Sequence, residues 1–114
     1  MVTIYHNPRC SKSRQTLQLL TDKDIEPELV LYLENPPSKT VLKELLAKLN
    51  ISPRELLRKG EAEYKENGLA DASLSDEQLI EAMVKHPILI ERPIVVNGSK
   101  AALGRPPENV LKIL

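Results

Sequence analysis

Two apolar runs of strand length, VTIY at 2–5 and ELVLYL at 28–33, are separated by a single stretch of helical pattern. This order restricts the fold more than any other feature. A strand, one helix and a second strand of this size imply a parallel pair joined by a right-handed crossover. In SKSRQTLQLLTDK, Leu17 and Leu20 fall on one helical face with Thr16 beside them, which predicts a helix from about Ser11 to Asp22. The junction between first strand and helix is HNPRCSKSR, residues 6–14, and it holds the only cysteine of the chain.

The middle of the chain reads as helical. After Pro36 and Pro37, Ser38 can cap a helix whose Val41, Leu42, Leu45, Leu46 and Leu49 form an amphipathic stripe. SPRE at 52–55 places Ser52 at the N-cap, Pro53 at N1 and Glu55 at N3, a capping box that opens a short helix toward Arg58 and Lys59. SDEQ at 75–78 repeats the device before Leu79, Ile80, Met83 and Val84. Residues 59–73 are the least regular stretch. The end predicts a strand at Ile94–Val96, an Asn97-Gly98 turn of type I′, a strand at Lys100–Leu103 and a last helix. A βαβ half followed by ββα is the element order of a thioredoxin-like mixed sheet. The expected architecture is therefore α/β, one domain over residues 1–114, with a helical insert at about 38–86.

The totals exclude several classes of function. A chain of 114 residues supports one core and not two. Sixteen Lys plus Arg balance sixteen Asp plus Glu, so net charge does not indicate a strong basic field for nucleic acid or an acidic membrane, and any anion site must be local. With no Phe and no Trp the core must be aliphatic, and stacking platforms for single-stranded nucleic acid are missing. A lone cysteine forms no internal disulfide, the N-terminus lacks a leader pattern, and no apolar run approaches the roughly 20 residues of a membrane span. A cytoplasmic protein, with neither membrane nor nucleic acid as partner and no metal, is expected.

Cys10 sits among polar and basic residues rather than in an apolar run. A thiol attacks as the thiolate, and an ordinary cysteine is only about 3% ionised at pH 7. The first turn of a helix, together with Arg9, Lys12, Arg14 and His6, could supply the positive potential that lowers its pKa. Ser11 and Ser13 could add hydroxyl hydrogen bonds to the sulfur or to an anion. The plainer reading is an inert cysteine at a packing point. His6 could equally be a general base or the polar end of a strand.

Motif tests narrow the chemistry. A tyrosine-phosphatase loop needs arginine six positions after the cysteine, where this chain has Thr16. A dithiol oxidoreductase needs Cys-x-x-Cys, where this chain has Ser13. An attacking thiol without a resolving thiol must borrow one, and glutathione is the obvious cytoplasmic lender. Three isolated arginines, Arg58, Arg92 and Arg105, offer planar forks for an anion, the last two directly before proline. Each taken singly reads as an ordinary surface arginine.

TIYHNPRCSKSRQTL, LYLENPPS, LLRKGEAEYKENGL, HPILIERPIVV and GRPPE together closely resemble the glutaredoxin-dependent arsenate reductases of the ArsC family, and the likeness covers essentially the whole chain. The resemblance implies a thioredoxin-like fold with Cys10 as the catalytic nucleophile. It implies Arg58, Arg92 and Arg105 as oxyanion-binding arginines, His6 and Ser13 as residues that favour the thiolate, and Pro93 as a cis-proline beside the site. Arg14 joins them as a thiolate-activating candidate from its charge. The implied reaction converts arsenate to arsenite through a Cys10 thiol–arsenate adduct, with glutathione as co-substrate, glutaredoxin as partner and no bound cofactor, in a monomer. Two alternatives stay open. One is a glutathione-dependent monothiol oxidoreductase with another substrate. The other is a non-enzymatic regulator of the Spx type that binds RNA polymerase, although Ser13 removes the Cys-x-x-Cys switch such regulators carry.

Overall fold

The computed structural model describes residues 2–114, which divide into two compact units, one formed by 2–35 with 92–114 and the other by Pro36–Glu91. The first unit contains β1 (Val2–Tyr5), α1 (Ser11–Asp22), β2 (Glu28–Val30), β3 (Ile94–Asn97), β4 (Lys100–Leu103) and a terminal 3-10 helix, Pro107–Ile113. The sheet order is β2-β1-β3-β4. β1 runs parallel to β2, with Tyr5 opposite Val30, and antiparallel to β3, with Ile4 opposite Val95. β3 pairs antiparallel with β4, placing Val95 opposite Ala102. This is the thioredoxin-like mixed sheet that the element order predicts.

Register explains the core of this unit. Ile4, Val95 and Ala102 form one row across three strands, and side chains in such a row share a face of the sheet. Leu20 of α1 and Val110 of the terminal helix complete a buried aliphatic cluster with them, flanked by Val2, Leu17, Ile25 and Ile113. α1 turns Ser13, Thr16 and Leu20 inward, each about one turn after the last, so buried hydroxyls lie N-terminal to the apolar side chain.

Two expectations for this unit are corrected, and the type of its last helix is settled. The second strand ends at Val30 rather than at residue 33, because the chain turns back: the N–H groups of Glu34 and Asn35 both reach the Leu31 carbonyl, at 3.0 and 2.8 Å. Tyr32 is buried in that turn instead of in a strand. The hairpin loop lies one residue later than expected. Asn97 pairs with Lys100, leaving Gly98 and Ser99 as the loop, and the positive φ of +63° falls on Gly98 alone, the pattern of type II′. The last helix is a 3-10 helix, closed by i to i+3 bonds such as Asn109 N–H to the Pro106 carbonyl at 2.9 Å.

The second unit is helical. It holds α2 (Lys39–Leu49), α3 (Pro53–Leu56), α4 (Ala62–Glu66), α5 (Asp76–Lys85) and a short 3-10 helix, Pro87–Leu89. Its local starts follow the sequence signals. Ser38 Oγ accepts the Val41 N–H, and both Ser52/Glu55 and Ser75/Gln78 form complete capping boxes. α2 and α5 pack together through Leu42, Leu45 and Leu46 on one side and Leu79, Ile80 and Met83 on the other, all buried. Lys39 and Lys43 both pair with Glu77 across the exposed edge of that contact.

Two further expectations change here. α3 stops at Leu56 and does not reach Arg58, because the chain becomes extended and Leu57 bridges Ile90 antiparallel. Arg58 N–H bonds to the Leu89 carbonyl at 2.8 Å and Glu91 N–H to the Leu56 carbonyl at 2.9 Å, competing successfully with another helical turn. Within the stretch read as irregular, α4 forms without any buried residue and ends in a Schellman motif. Gly68 takes φ +60°, Leu69 N–H reaches the Tyr64 carbonyl at 3.0 Å, and Gly68 N–H reaches that of Lys65 at 3.1 Å. Among the described residues no helix is long and apolar enough to cross a membrane.

Candidate active site

Cys10 occupies the N-cap of α1 with extended backbone, φ −95° and ψ 123°. The loop that delivers it is held at both ends. His6 N–H continues the pairing of β1 with β2 by donating to the Val30 carbonyl at 2.9 Å. Asn7 then organises the turn: its Oδ1 accepts the Arg9 N–H at 3.0 Å and its carbonyl accepts the Cys10 N–H at 3.0 Å. From the helix side, Arg14 Nη1 donates to the Pro8 carbonyl at 2.9 Å, and Ser13 Oγ accepts the Asn7 N–H at 3.0 Å.

Five influences act on the thiol. Burial, the largest, pushes the Cys10 pKa up. Against it stand the Ser13 backbone N–H, the Arg92 charge, the Lys12 backbone N–H and a hydrogen bond from the Arg92 side chain, and together they bring the value below that of an ordinary cysteine. No contact from the sulfur has the geometry of a full capping bond, yet these amides belong to the unsatisfied first turn and point where a thiolate gains from them. The half-buried sulfur is therefore both accessible and biased toward its nucleophilic form.

Behind the loop, His6 Nδ1 and Ser13 Oγ lie 2.6 Å apart in a buried pair. Burial first, and the Arg14 charge second, lower the His6 pKa, so the neutral imidazole is favoured. With Nδ1 unprotonated, Ser13 donates to it while accepting from Asn7, and both polar groups are satisfied away from water. Ser13 thereby meets the sulfur through its backbone N–H and the histidine through its hydroxyl.

The structure brings Cys10, His6, Ser13, Arg14 and Arg92 together in the first unit. Pro93 follows Arg92 through a cis peptide bond, and a second cis bond joins Arg105 to Pro106. The Pro93 carbonyl accepts the Gly104 N–H at 2.9 Å, so the two arginine-bearing segments are linked immediately next to Arg92 and Arg105. Arg105 itself is exposed. Arg58 belongs to the second unit, where its Nη1 donates to the Ile88 carbonyl at 3.3 Å and its Nη2 pairs with Glu61 at 3.2 Å.

Asn7 and Gly104, both in the first unit, are features around Cys10 and Arg92 that the sequence reading passed over. Asn before Pro directly after a strand is a turn signal that could have found the first. Gly104 shows no local signal: a Cβ there would collide with the Thr16 hydroxyl and meet Pro93 Cγ at 2.7 Å, a crowding produced only by the packed fold. Among the described residues no group of three or more His, Cys, Asp or Glu could hold a metal ion.

Comparison with known proteins places the chain in a family. Residues 5–113 match the model of the ArsC family. Over 114 residues the chain is 60% identical to "Uncharacterized protein YfgD" of Escherichia coli (strain K12), covering 99% of this chain and 96% of that one. It is 52% identical over 113 residues to an Escherichia coli arsenate reductase, covering 99% of this chain and 80% of that protein. The solved structure of an arsenate reductase from Vibrio cholerae matches with a TM-score of 0.97 at 53% identity, over 99% of this chain and 97% of that one.

Proposed function

Because the chain belongs to the ArsC family, we propose that it is an arsenate reductase that uses Cys10 as nucleophile and draws its electrons from glutathione and glutaredoxin. The observation that carries this reading is the Cys10 sulfur at the head of α1, served by the Ser13 and Lys12 amides and the Arg92 guanidinium.

Arsenate docks on the arginines, with Arg92 beside the sulfur and Arg58 and Arg105 as further oxyanion ligands. The Cys10 thiolate attacks arsenic and displaces one oxygen, which leaves as water after protonation. The glutathione thiolate then attacks arsenic of the adduct and displaces a second oxygen, which leaves as water after protonation, to give a glutathionylated arsenic intermediate. A glutaredoxin thiolate attacks the glutathione sulfur, forming a glutaredoxin–glutathione mixed disulfide and leaving the electron pair on arsenic, and water then cleaves the Cys10–arsenic(III) bond to release arsenite and the thiol. Donors that stabilise the thiolate also stabilise charge on an oxyanion at the same place, without reorganising during the step. His6, Ser13 and Arg14 hold the loop and the local field. A protein that depends on glutathione works in the reducing cytoplasm, and one monomer with a single thiol suffices because the resolving thiol is borrowed.

The test is arsenite formation from arsenate by the purified protein with glutathione, glutaredoxin and a recycling reductase, beside Cys10→Ser. Turnover that disappears in the variant supports the reaction and its nucleophile. A wild-type protein without turnover, but with a Cys10 readily alkylated at neutral pH, points instead to a monothiol oxidoreductase.

A further inference from the structure

Arg58 is not left open to solvent in the second unit. Its two terminal nitrogens are taken in different directions, Nη1 to the Ile88 carbonyl and Nη2 to Glu61 Oε2. The Arg58 and Glu61 side chains are only 17% and 24% exposed, so water and salt screen the pair less than an ordinary surface bridge. These contacts use two of the five N–H donors of the guanidinium and leave a fork whose direction is set from both ends.

Among the described residues, the Glu61 carboxylate forms no other salt bridge. It stands at the N-cap of α4, a position where serine, threonine or aspartate would bond to the first-turn amides, yet its side chain forms no capping bond. The carboxylate is directed to Arg58 instead, three residues before it in the chain. A carboxylate at that distance orients the fork and offsets part of its charge, so an arriving oxyanion meets a positioned but weakened cation.

We propose that Glu61 is a positioning residue that aims Arg58 at a tetrahedral oxyanion and moderates how tightly Arg58 holds it. The inference rests on the assignment of Arg58 as an oxyanion ligand. Two variants separate the two effects. Glu61→Gln keeps the length and the accepting oxygen while removing the charge, and Glu61→Ala removes both charge and tether.

The experiment is arsenate titration of the full chain without glutathione, read by calorimetry and by the Arg58 Nε–Hε resonance. It is paired with KM and kcat for each variant in the coupled assay. Glu61→Gln should bind arsenate roughly threefold or more tightly than the unaltered protein, with KM falling and kcat not rising. Glu61→Ala should bind more weakly than Glu61→Gln, with a broadened Arg58 resonance. A Glu61→Gln protein that binds no more tightly, or two variants that bind alike, would overturn the proposal. So would an Arg58 resonance that arsenate does not move. Binding that follows the expected order in a protein without turnover would keep the role of Glu61 and remove the reductase assignment.

Discussion

The imidazole Nδ1 of His6 and the hydroxyl oxygen of Ser13 meet at 2.6 Å, seven residues apart in the chain and both out of solvent. This bond ties the end of β1 to the first turn of α1, and Cys10 is delivered between the two. Because burial and then Arg14 lower the His6 pKa, the unfolded chain takes up a proton more readily than the folded one just below pH 6.5. Stability should therefore fall as pH drops from about 6.5 toward the lowered folded value, with a slope of at most about 1.4 kcal/mol per pH unit from this group. Urea unfolding from pH 7.5 to 5.5 should show that slope in the unaltered protein and lose it in His6→Gln. Glu77 does not confuse this window: held down to about 2 by hydrogen bonds from Lys39 and then Lys43, it begins to lose its share only as pH falls through its ordinary value of 4.5.

Cys10 should be alkylated faster at neutral pH than a free thiol of ordinary pKa, since Arg92 and the two first-turn amides outweigh the effect of burial. Iodoacetamide rates measured against pH should give a midpoint below the ordinary cysteine value. Arg92→Gln should move that midpoint upward, and an unmoved midpoint would remove Arg92 from the activation of the sulfur. Arg92→Lys should restore the charge without the fork, recovering part of the alkylation rate and less of any oxyanion affinity.

Gly104→Ala should destabilise the protein by about 1–3 kcal/mol, because its new methyl group would enter the space of the Thr16 hydroxyl and Pro93. The two positions should couple. Thr16→Ala gives up a hydrogen bond to the Lys12 carbonyl at 2.8 Å but opens that space, so the double variant should be more stable than the sum of the single effects predicts. Chemical denaturation of the four proteins decides it, and strict additivity would contradict the crowding.

Arg54 donates from Nη1 to the Leu69 carbonyl and from Nη2 to that of Asp71, both at 2.9 Å, and so closes the loop that follows α4. Arg54→Ala should cost about 1–3 kcal/mol by leaving buried Leu69 with an unpaired carbonyl. Amide exchange should speed up across residues 69–74 while α1 stays protected. Arg54→Lys should recover less than half of the loss, since a single ammonium cannot span both carbonyls.

Short-range signals were legible in the chain. Ser38, the Ser52/Glu55 box and the Ser75/Gln78 box act within one helical turn, so their residues carry nearly all the information, and each appears where the pattern places it. The βαβ start and the apolar faces of α2 and α5 were equally readable, since periodicity reports which side must be buried. The family resemblance was legible for a different reason, resting on several separated motifs together, and the match over residues 5–113 bears it out.

Where competing local conformations lay close in energy, tertiary contacts decided. ELVLYL has strand character throughout, yet only Glu28–Val30 finds a partner in β1, and the remainder turns back on the Leu31 carbonyl. PREL could have continued as a helix through Arg58, but pairing with residues 89–91 draws the chain out. The hairpin loop shifted by one residue because the register of Val95 against Ala102 places both in the buried row, and Gly98 then had to take the positive φ. Arg92 shows the same division. Its identity and its proline neighbour stand in the sequence, whereas its hydrogen bond to Cys10 joins residues 82 positions apart and exists only because β3 pairs with β1. Local hydrogen bonds and periodicity are written in neighbouring residues; the field around the sulfur is the sum of groups that only the packed sheet brings within reach.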